Sequence, residues 1–334
     1  MALSTEQQAR LREAKLQSIV TTRWGPGDRT GGSFPSGATV DDGTTGWVLS
    51  ESGDVRILGG ALAWAARADL ARLWLIVDDA AGEMLGDLAR MASRLVRPVA
   101  VMGLDGTDPI EIGQAPMPVE LGVPAGLETL IATIEVAGCD VVVEQGIVRG
   151  DWLGLEVCRV EVDAGGPRLA VGVGRFDREI TQLTYAALSA PEALARVVEL
   201  ISEHRRPGAP THPMRDLCRE RWLRCALVAA PSLVGATTLS PVEATVPRDN
   251  LRDPNAAMAA GLDVDGRLVV VAATVGADLG ALLVADDTRA RIDAGASLVV
   301  AHPAETPLPP GLLRVGGWLS APPRVVGVPS PWHA

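Results

Sequence analysis

Two runs decide how the chain is read: Asp140-Val-Val-Val-Glu144-Gln-Gly-Ile-Val148 and Asp151-Trp-Leu-Gly-Leu-Glu156-Val-Cys-Arg159. Both are short and largely apolar, the first rich in β-branched residues, which is the pattern of strands. The first strand is expected over Asp140–Val148, the second over Trp152–Val162, and a third, Leu169-Ala-Val-Gly-Val173, within Arg168–Gly174. Helical periodicity precedes them over Ala125–Ala137 and follows them over Pro191–His204. The order over Pro124–His204 is therefore α-β-β-β-α. This is also the stretch where charge enters what reads as a core, through Asp151, Glu156 and Arg159.

The chain around this stretch is 334 residues long, which predicts two or three domains. Hydrophobic residues make up 47%, enough to fill several cores, and no run of about 18 uncharged apolar residues suggests a membrane span. The start, Met-Ala-Leu-Ser-Thr-Glu-Gln-Gln-Ala-Arg, lacks a basic segment followed by an apolar block, so a cytoplasmic protein is expected. The net charge of −11 argues against nucleic acid as a partner while leaving a local basic patch open. A protein partner or a homo-oligomer is compatible with it. Cys139, Cys158, Cys218 and Cys225 show no C-x-x-C spacing and read as reduced structural thiols.

Outward from the centre, residues 1–46 read as an N-terminal helix, capped at Ser4, followed by loop. Residues 47–123 form an α/β unit: strands at Trp47-Val-Leu-Ser-Glu and Val55-Arg-Ile-Leu, a helix over Gly60–Ala68, a buried strand Arg72–Val77, a helix over Ala80–Leu95 and a strand Pro98–Met102, with a linker from 105. Residues 124–206 are the central unit. Residues 207–334 hold a helix, Met214–Ala229, with arginines expected on its exposed side, an irregular stretch Ala236–Pro254, and a second α/β unit. That unit has a hairpin at Asp263-Val-Asp-Gly266, strands at Leu268–Ala272, Ser297–Ala301 and Arg324–Val328, and helices over Ala277–Ile292 and Pro310–Leu319. Both flanking units read β-β-α-β-α-β. The expected fold class is α/β with mixed sheets, a central unit between two similar ones.

The α-β-β-β-α order resembles the core of the restriction-endonuclease-like, PD-(D/E)xK, superfamily over about 80 residues. That resemblance implies Asp151 and Glu156 as catalytic carboxylates, which together with Glu144 would hold Mg²⁺ or Mn²⁺, and Glu128 as an auxiliary acid. The chain departs from the family in having no lysine nearby; Lys15 is its only one, and position 158 is Cys. Asp151 and Glu156 also read as lying on a single strand. No cofactor is expected with certainty beyond that metal, which the enzyme reading alone requires.

Other motifs are thinner. Gly172-Val-Gly174-Arg-Phe-Asp177 opens like a dinucleotide fingerprint but lacks its third glycine and is not expected to be promptly helical. It leaves Arg175, Asp177 and Arg178 as candidate ligand-binding residues. Asp78 and His302 stand at equivalent ends of buried strands, where α/β sheets place ligands. The central stretch also carries Glu144, Gly146, Gly150, Gly154, Leu155, Glu156 and Val157, then Gly172–Glu179. In that pattern, and over most of its length, the chain resembles a group of actinobacterial proteins. That resemblance implies a fold and no activity. The leading expectation is a non-catalytic interaction or regulatory protein on a nuclease-like scaffold. The alternatives are a metal-dependent nuclease or phosphodiesterase and a small-ligand binder.

Overall fold

The computed structural model describes residues 4–333 apart from 80, 81, 83, 186, 248–250, 253, 254 and 277. The described residues form a mixed α/β protein with three sheets, as the strand and helix patterns predict. Contacts divide the chain into two units. One is Met1–Met117 with Asp278–Asp287 and Leu308–Pro323; the other is Pro118–Ala277 with Thr288–Pro307 and Arg324–Ala334.

The first unit opens with helix α1 (Thr5–Trp24), started by a capping box in which the Gln7 amide donates to Ser4 Oγ and the Ser4 amide to Gln7 Oε1. A six-stranded sheet follows in sequence order: β1 (Thr30–Phe34), β2 (Gly37–Asp41), β3 (Thr45–Ser50), β4 (Arg72–Val77), β5 (Val99–Asp105) and β6 (Asp108–Glu111). The strands β3, β4 and β5 are parallel, and the outer ones pair antiparallel. The loop expected before residue 46 thus holds two strands, and the expected linker from 105 holds β6. Glycines and polar residues dilute the alternation there, so only Ala38 and Val40 mark the buried side, packed with Leu16 and Val20. The strand expected at Val55 is instead the first turn of helix α2 (Val55–Arg67). Asp54 caps it, its carboxylate accepting from the amides of Arg56 and Ile57 at 2.8 and 3.0 Å. Helix α3 spans Leu85–Ala92; its expected start at Ala80 lies outside the described residues.

In the second unit the central stretch is a four-stranded antiparallel meander: β7 (Asp140–Glu144), β8 (Ile147–Trp152), β9 (Leu155–Asp163) and β10 (Gly166–Val171). Four strands replace the three expected because Gln145-Gly146 and Leu153-Gly154 are two-residue turns with positive φ at both positions, 56° and 69°, then 48° and 77°. Such turns match the twist of a hairpin and favour glycine second. At Gly154 a Cβ would also lie 2.4 Å from the carbonyl carbon of Arg221. Helices α4 (Glu128–Val136) and α6 (Ala190–His204) cover one face of the meander, with Ile134, Leu194, Val197 and Ile201 packed on Val148, Leu155, Cys158, Val160, Leu169 and Val171. Between β10 and α6 runs α5 (Gly174–Thr184), which begins at once after the strand, contrary to the sequence expectation. Gly172 and Gly174 have φ of 134° and 74°, and a Cβ on Gly172 would meet the backbone of Arg178 at 2.8 Å, so the glycines serve close packing of this turn.

The helix expected over Met214–Ala229 is two, α7 (Pro213–Asp216) and α8 (Arg219–Ala229), broken at Cys218 with φ 50°. Filling that break is Arg205, which is fully buried. Its guanidinium donates to the carbonyls of Leu153, Met214, Leu217 and Cys218 at 3.0, 3.0, 2.8 and 3.3 Å and lies over the Trp222 ring at 4.8 Å.

The last sheet is ordered β11 (Ala236–Val242), β12 (Ala257–Asp263), β13 (Leu268–Ala273), β14 (Ser297–Pro303) and β15 (Arg324–Val328). Its first three strands are antiparallel and its last three parallel. With α9 (Ala281–Ile292) and α10 (Pro310–Gly316) the chain order is β-β-β-α-β-α-β, the order of β1 to β5 with α2 and α3. The first run starts two strands earlier than the sequence suggests, with Val55 helical, and the second starts one strand earlier. The stretch expected to be irregular carries β11, while 248–250, 253 and 254, and the expected helix start at 277, lie outside the described residues. The first part of α9 and all of α10 belong to the first unit, where Arg90 of α3 holds Asp287 by a two-pronged pair at 3.2 and 3.0 Å, both side chains buried. Charge therefore enters the interior at a second place that the sequence does not advertise.

Candidate functional site

Strand alternation sorts the meander into an apolar face, covered by α4 and α6, and a charged face. On β8, Arg149 and Asp151 point to the charged face, and on β7 so does Glu144. On β9 the ladder pairs Gly150 with Cys158 but Asp151 with Glu156, so Val157 is one residue in excess. This bulge shifts the phase of β9 and puts Glu156 beside Arg159 and Glu161 on the charged face. In a regular strand Glu156 would share the face of Cys158, which is in the apolar core.

The meander brings Glu144, Asp151 and Glu156 onto three neighbouring strands. Asp151 and Glu156 sit opposite each other on two of them, which corrects the expectation that they share one. Each carboxylate meets guanidinium groups. Glu156, 1% exposed, accepts from Arg159 Nε and Nη2 at 2.6 and 2.9 Å and from Arg178 Nη1 at 3.0 Å, with Arg149 Nε at 3.5 Å. Glu144 accepts from Arg149 Nη1 at 3.0 Å and from Arg221 Nη2, with Arg224 Nη1 at 3.6 Å. Asp151, also 1% exposed, has Arg221 Nη1 at 3.7 Å and Arg224 Nη2 at 3.9 Å, and neither of its oxygens has a hydrogen-bond partner. Among the described residues no group of three or more His, Cys, Asp or Glu is placed to hold a metal ion. Glu128 is exposed at the start of α4.

Sequence reading missed Arg221 and Arg224. They sit three apart on α8, hence on one side of the helix, and are 3% and 2% exposed, whereas the arginines of this helix were expected to face outward. The signal available was that spacing, next to Trp222 and Leu223 on a helix too short of polar surface for all its cations.

Burial pushes the Asp151 carboxyl up from its ordinary value, outweighing the opposite pull of Arg221 and Arg224, with Glu144 and Glu156 adding to the rise. A carboxyl raised on folding contributes stability that is complete below its unfolded value near 3.8 and is lost as pH climbs through the folded value. The isosteric variant Asp151→Asn lacks this dependence. We expect wild type and variant to melt together near pH 4 and the variant to melt higher at pH 7, read from melting temperature against pH. A wild type more stable at pH 7 would mean that the two arginines outweigh burial.

Of the candidate ligand residues on α5, Arg175 and Arg178 both line a groove of about 500 Å³, and Asp177 does not. Arg178 turns back to Glu156, Asp177 accepts from the Val173 amide at 2.6 Å, and Arg175 is exposed and paired with Glu179. At the strand ends Asp78 pairs with Lys15 at 2.5 Å, and His302 Nδ1 lies 2.8 and 3.0 Å from the carbonyls of Pro303 and Thr306. Their strands place the two residues alike, since Ser50 pairs with Val77 and Ala273 with Ala301. Asp263 accepts from the amides of Asp265 and Arg267, an ordinary hairpin turn. All four cysteines are free thiols. No described helix is long and apolar enough to cross a membrane. No protein-family model, curated protein or solved structure matches the chain.

Proposed function

We propose that this chain is a non-catalytic interaction or regulatory protein on a scaffold that resembles a nuclease core. The observation that carries the proposal is the set of guanidinium groups around Glu144, Asp151 and Glu156. In a metal-dependent phosphodiesterase these oxygens would face a divalent cation and water. In this chain Arg149, Arg159, Arg178, Arg221 and Arg224 take that role, and a cation brought among them would meet like charge. Toward a partner the chain presents the outer side of α5, where Ile180 and Leu183 are 61% and 80% exposed. Beside it is an open groove of about 500 Å³ where Leu169, Tyr185 and Leu188 lie with Arg168, Arg175 and Glu179. Exposed apolar residues next to a groove are the usual material of a protein contact. Free thiols agree with work in the cytoplasm.

Titration with Mn²⁺ or Mg²⁺ is expected to leave the melting temperature unchanged, and a panel of DNA, RNA and nucleotide substrates is expected to stay intact. Metal-dependent cleavage lost in Glu156→Gln, with the fold retained, would overturn the non-catalytic reading. For the contact, a photo-crosslinker at position 183 in cells is expected to give discrete adducts that the same probe at exposed Glu199 does not. Identical products from both positions would remove α5 from the proposal.

A further inference from the structure

The arginine cluster borders a cavity of about 130 Å³ within the second unit, whose wall includes Glu144, Arg149, Arg221, Arg224, Glu243 and Met258. Arg224 is the informative member. It is 2% exposed, its Nε and Nη2 have no hydrogen-bond partner among the described residues, and it meets carboxylates only at 3.6 and 3.9 Å. Arg149 Nε and Arg221 Nη1 are likewise buried without a hydrogen bond. Arg221 and Arg224 share Glu144 and Asp151, while Arg149 is divided between Glu144 and Glu156, and Glu156 also takes Arg159 and Arg178. A guanidinium withdrawn from water needs acceptors in its plane, and among the described residues these donors of Arg149, Arg221 and Arg224 have none within hydrogen-bond reach.

We infer that this cavity is a binding site for one small oxyanion, of the phosphate or short carboxylate class, held by Arg224 with Arg149 and Arg221. Guanidinium forks pair with such oxygens in two-pronged geometry and do so most strongly where water is excluded. The size agrees. At roughly 30 Å³ per water the cavity equals about four waters, enough for a single oxyanion, and it is far below the ~300 Å³ or more of sites for drug-sized ligands. The lining also includes the apolar Val242 and Met258. Glu243, also in the lining, accepts from Gln145 Nε2, and burial pushes its carboxyl up from its ordinary value. The inference is independent of the non-catalytic reading and is tested in metal-free buffer, where metal-dependent chemistry plays no part.

The test is calorimetric and thermal titration of the full chain with inorganic phosphate, sulfate and acetate, against sodium chloride at matched ionic strength. We expect saturable binding of one anion per chain, with a rise in melting temperature that chloride does not reproduce. The ranking of phosphate over acetate, or the reverse, identifies the oxyanion class. Arg224→Gln is expected to weaken binding about tenfold or more. If that variant fails to fold, Arg149→Gln, at the rim of the same cluster, carries the comparison. Shifts that follow ionic strength alone, wild type without saturable binding, or affinity unchanged in both variants would each overturn the assignment.

Discussion

Replacing Glu156 with glutamine lowers the stability of the protein by about 3–5 kcal/mol, the cost of removing one partner from a buried ion pair. In melting temperature that is a drop of roughly 6–20 °C for a unit of this size. The reason lies in what remains. Glu156 takes two hydrogen bonds from Arg159 and one from Arg178, with Arg149 alongside. Glutamine keeps the shape and loses the charge, so these guanidinium groups stay close together without their counter-ion. The sign of the effect separates two roles for the same residue. A carboxylate kept among other carboxylates to bind a metal repels its neighbours when no metal is present, and its amide variant melts higher. A carboxylate kept to neutralise arginines gives an amide variant that melts lower. A differential scan of the metal-free protein decides, and a rise for Glu156→Gln would contradict its role as counter-ion to the arginines.

The second large effect is expected at Arg205. Arg205→Met fills similar space but leaves the carbonyls of Leu153, Met214 and Leu217 without this donor, while Cys218 still accepts from the amides of Arg221 and Trp222. Each unsatisfied buried group costs about 1–3 kcal/mol. The penalties do not simply add, so we expect a loss of roughly 4 kcal/mol or more. Burial lowers the Arg205 guanidinium to about 10, which still leaves it charged at neutral pH. Arg205→Lys has three donors instead of five and no planar fork, and should recover only part of the loss. Chemical denaturation of the three proteins gives the order directly. Equal stability of Arg205→Met and wild type would show that these carbonyls find other donors.

These residues also show how far the sequence could be read. Continuous apolar strands such as Arg72–Val77 and Ser297–Pro303 announced themselves, and so did the Ser4 cap and the hairpin at Gly266, because local chemistry alone specifies them. The meander was legible as strands but not as four, since Gly146 and Gly154 read as ordinary members of an apolar run until their φ values are seen. Glu144, Asp151 and Glu156 were picked out by charge within that run, and they do gather. Arg159 is legible as a partner of Glu156 within the same run, but Arg221 and Arg224 are not, because they come from a helix some 65 residues or more further on, and pairing across that distance leaves no periodic trace. Arg205 stands at the end of the 124–206 unit, where the sequence gives no sign of burial. Its burial depends on the break at Cys218, which a helical pattern over 214–229 conceals. Arg90 and Asp287 were invisible for the same reason.

The surplus residue at Val157 bears on how kinship to this chain should be recognised. It lets Glu156 and Arg159, three positions apart, work side by side, which an unbroken extended strand allows only at even separations. Losing that one residue would straighten the strand while leaving each side chain on its present side. Relatives can therefore carry either Glu-x-x-Arg or Glu-x-Arg at this point with the pair still side by side, the shorter form giving up the buried Val157 side chain.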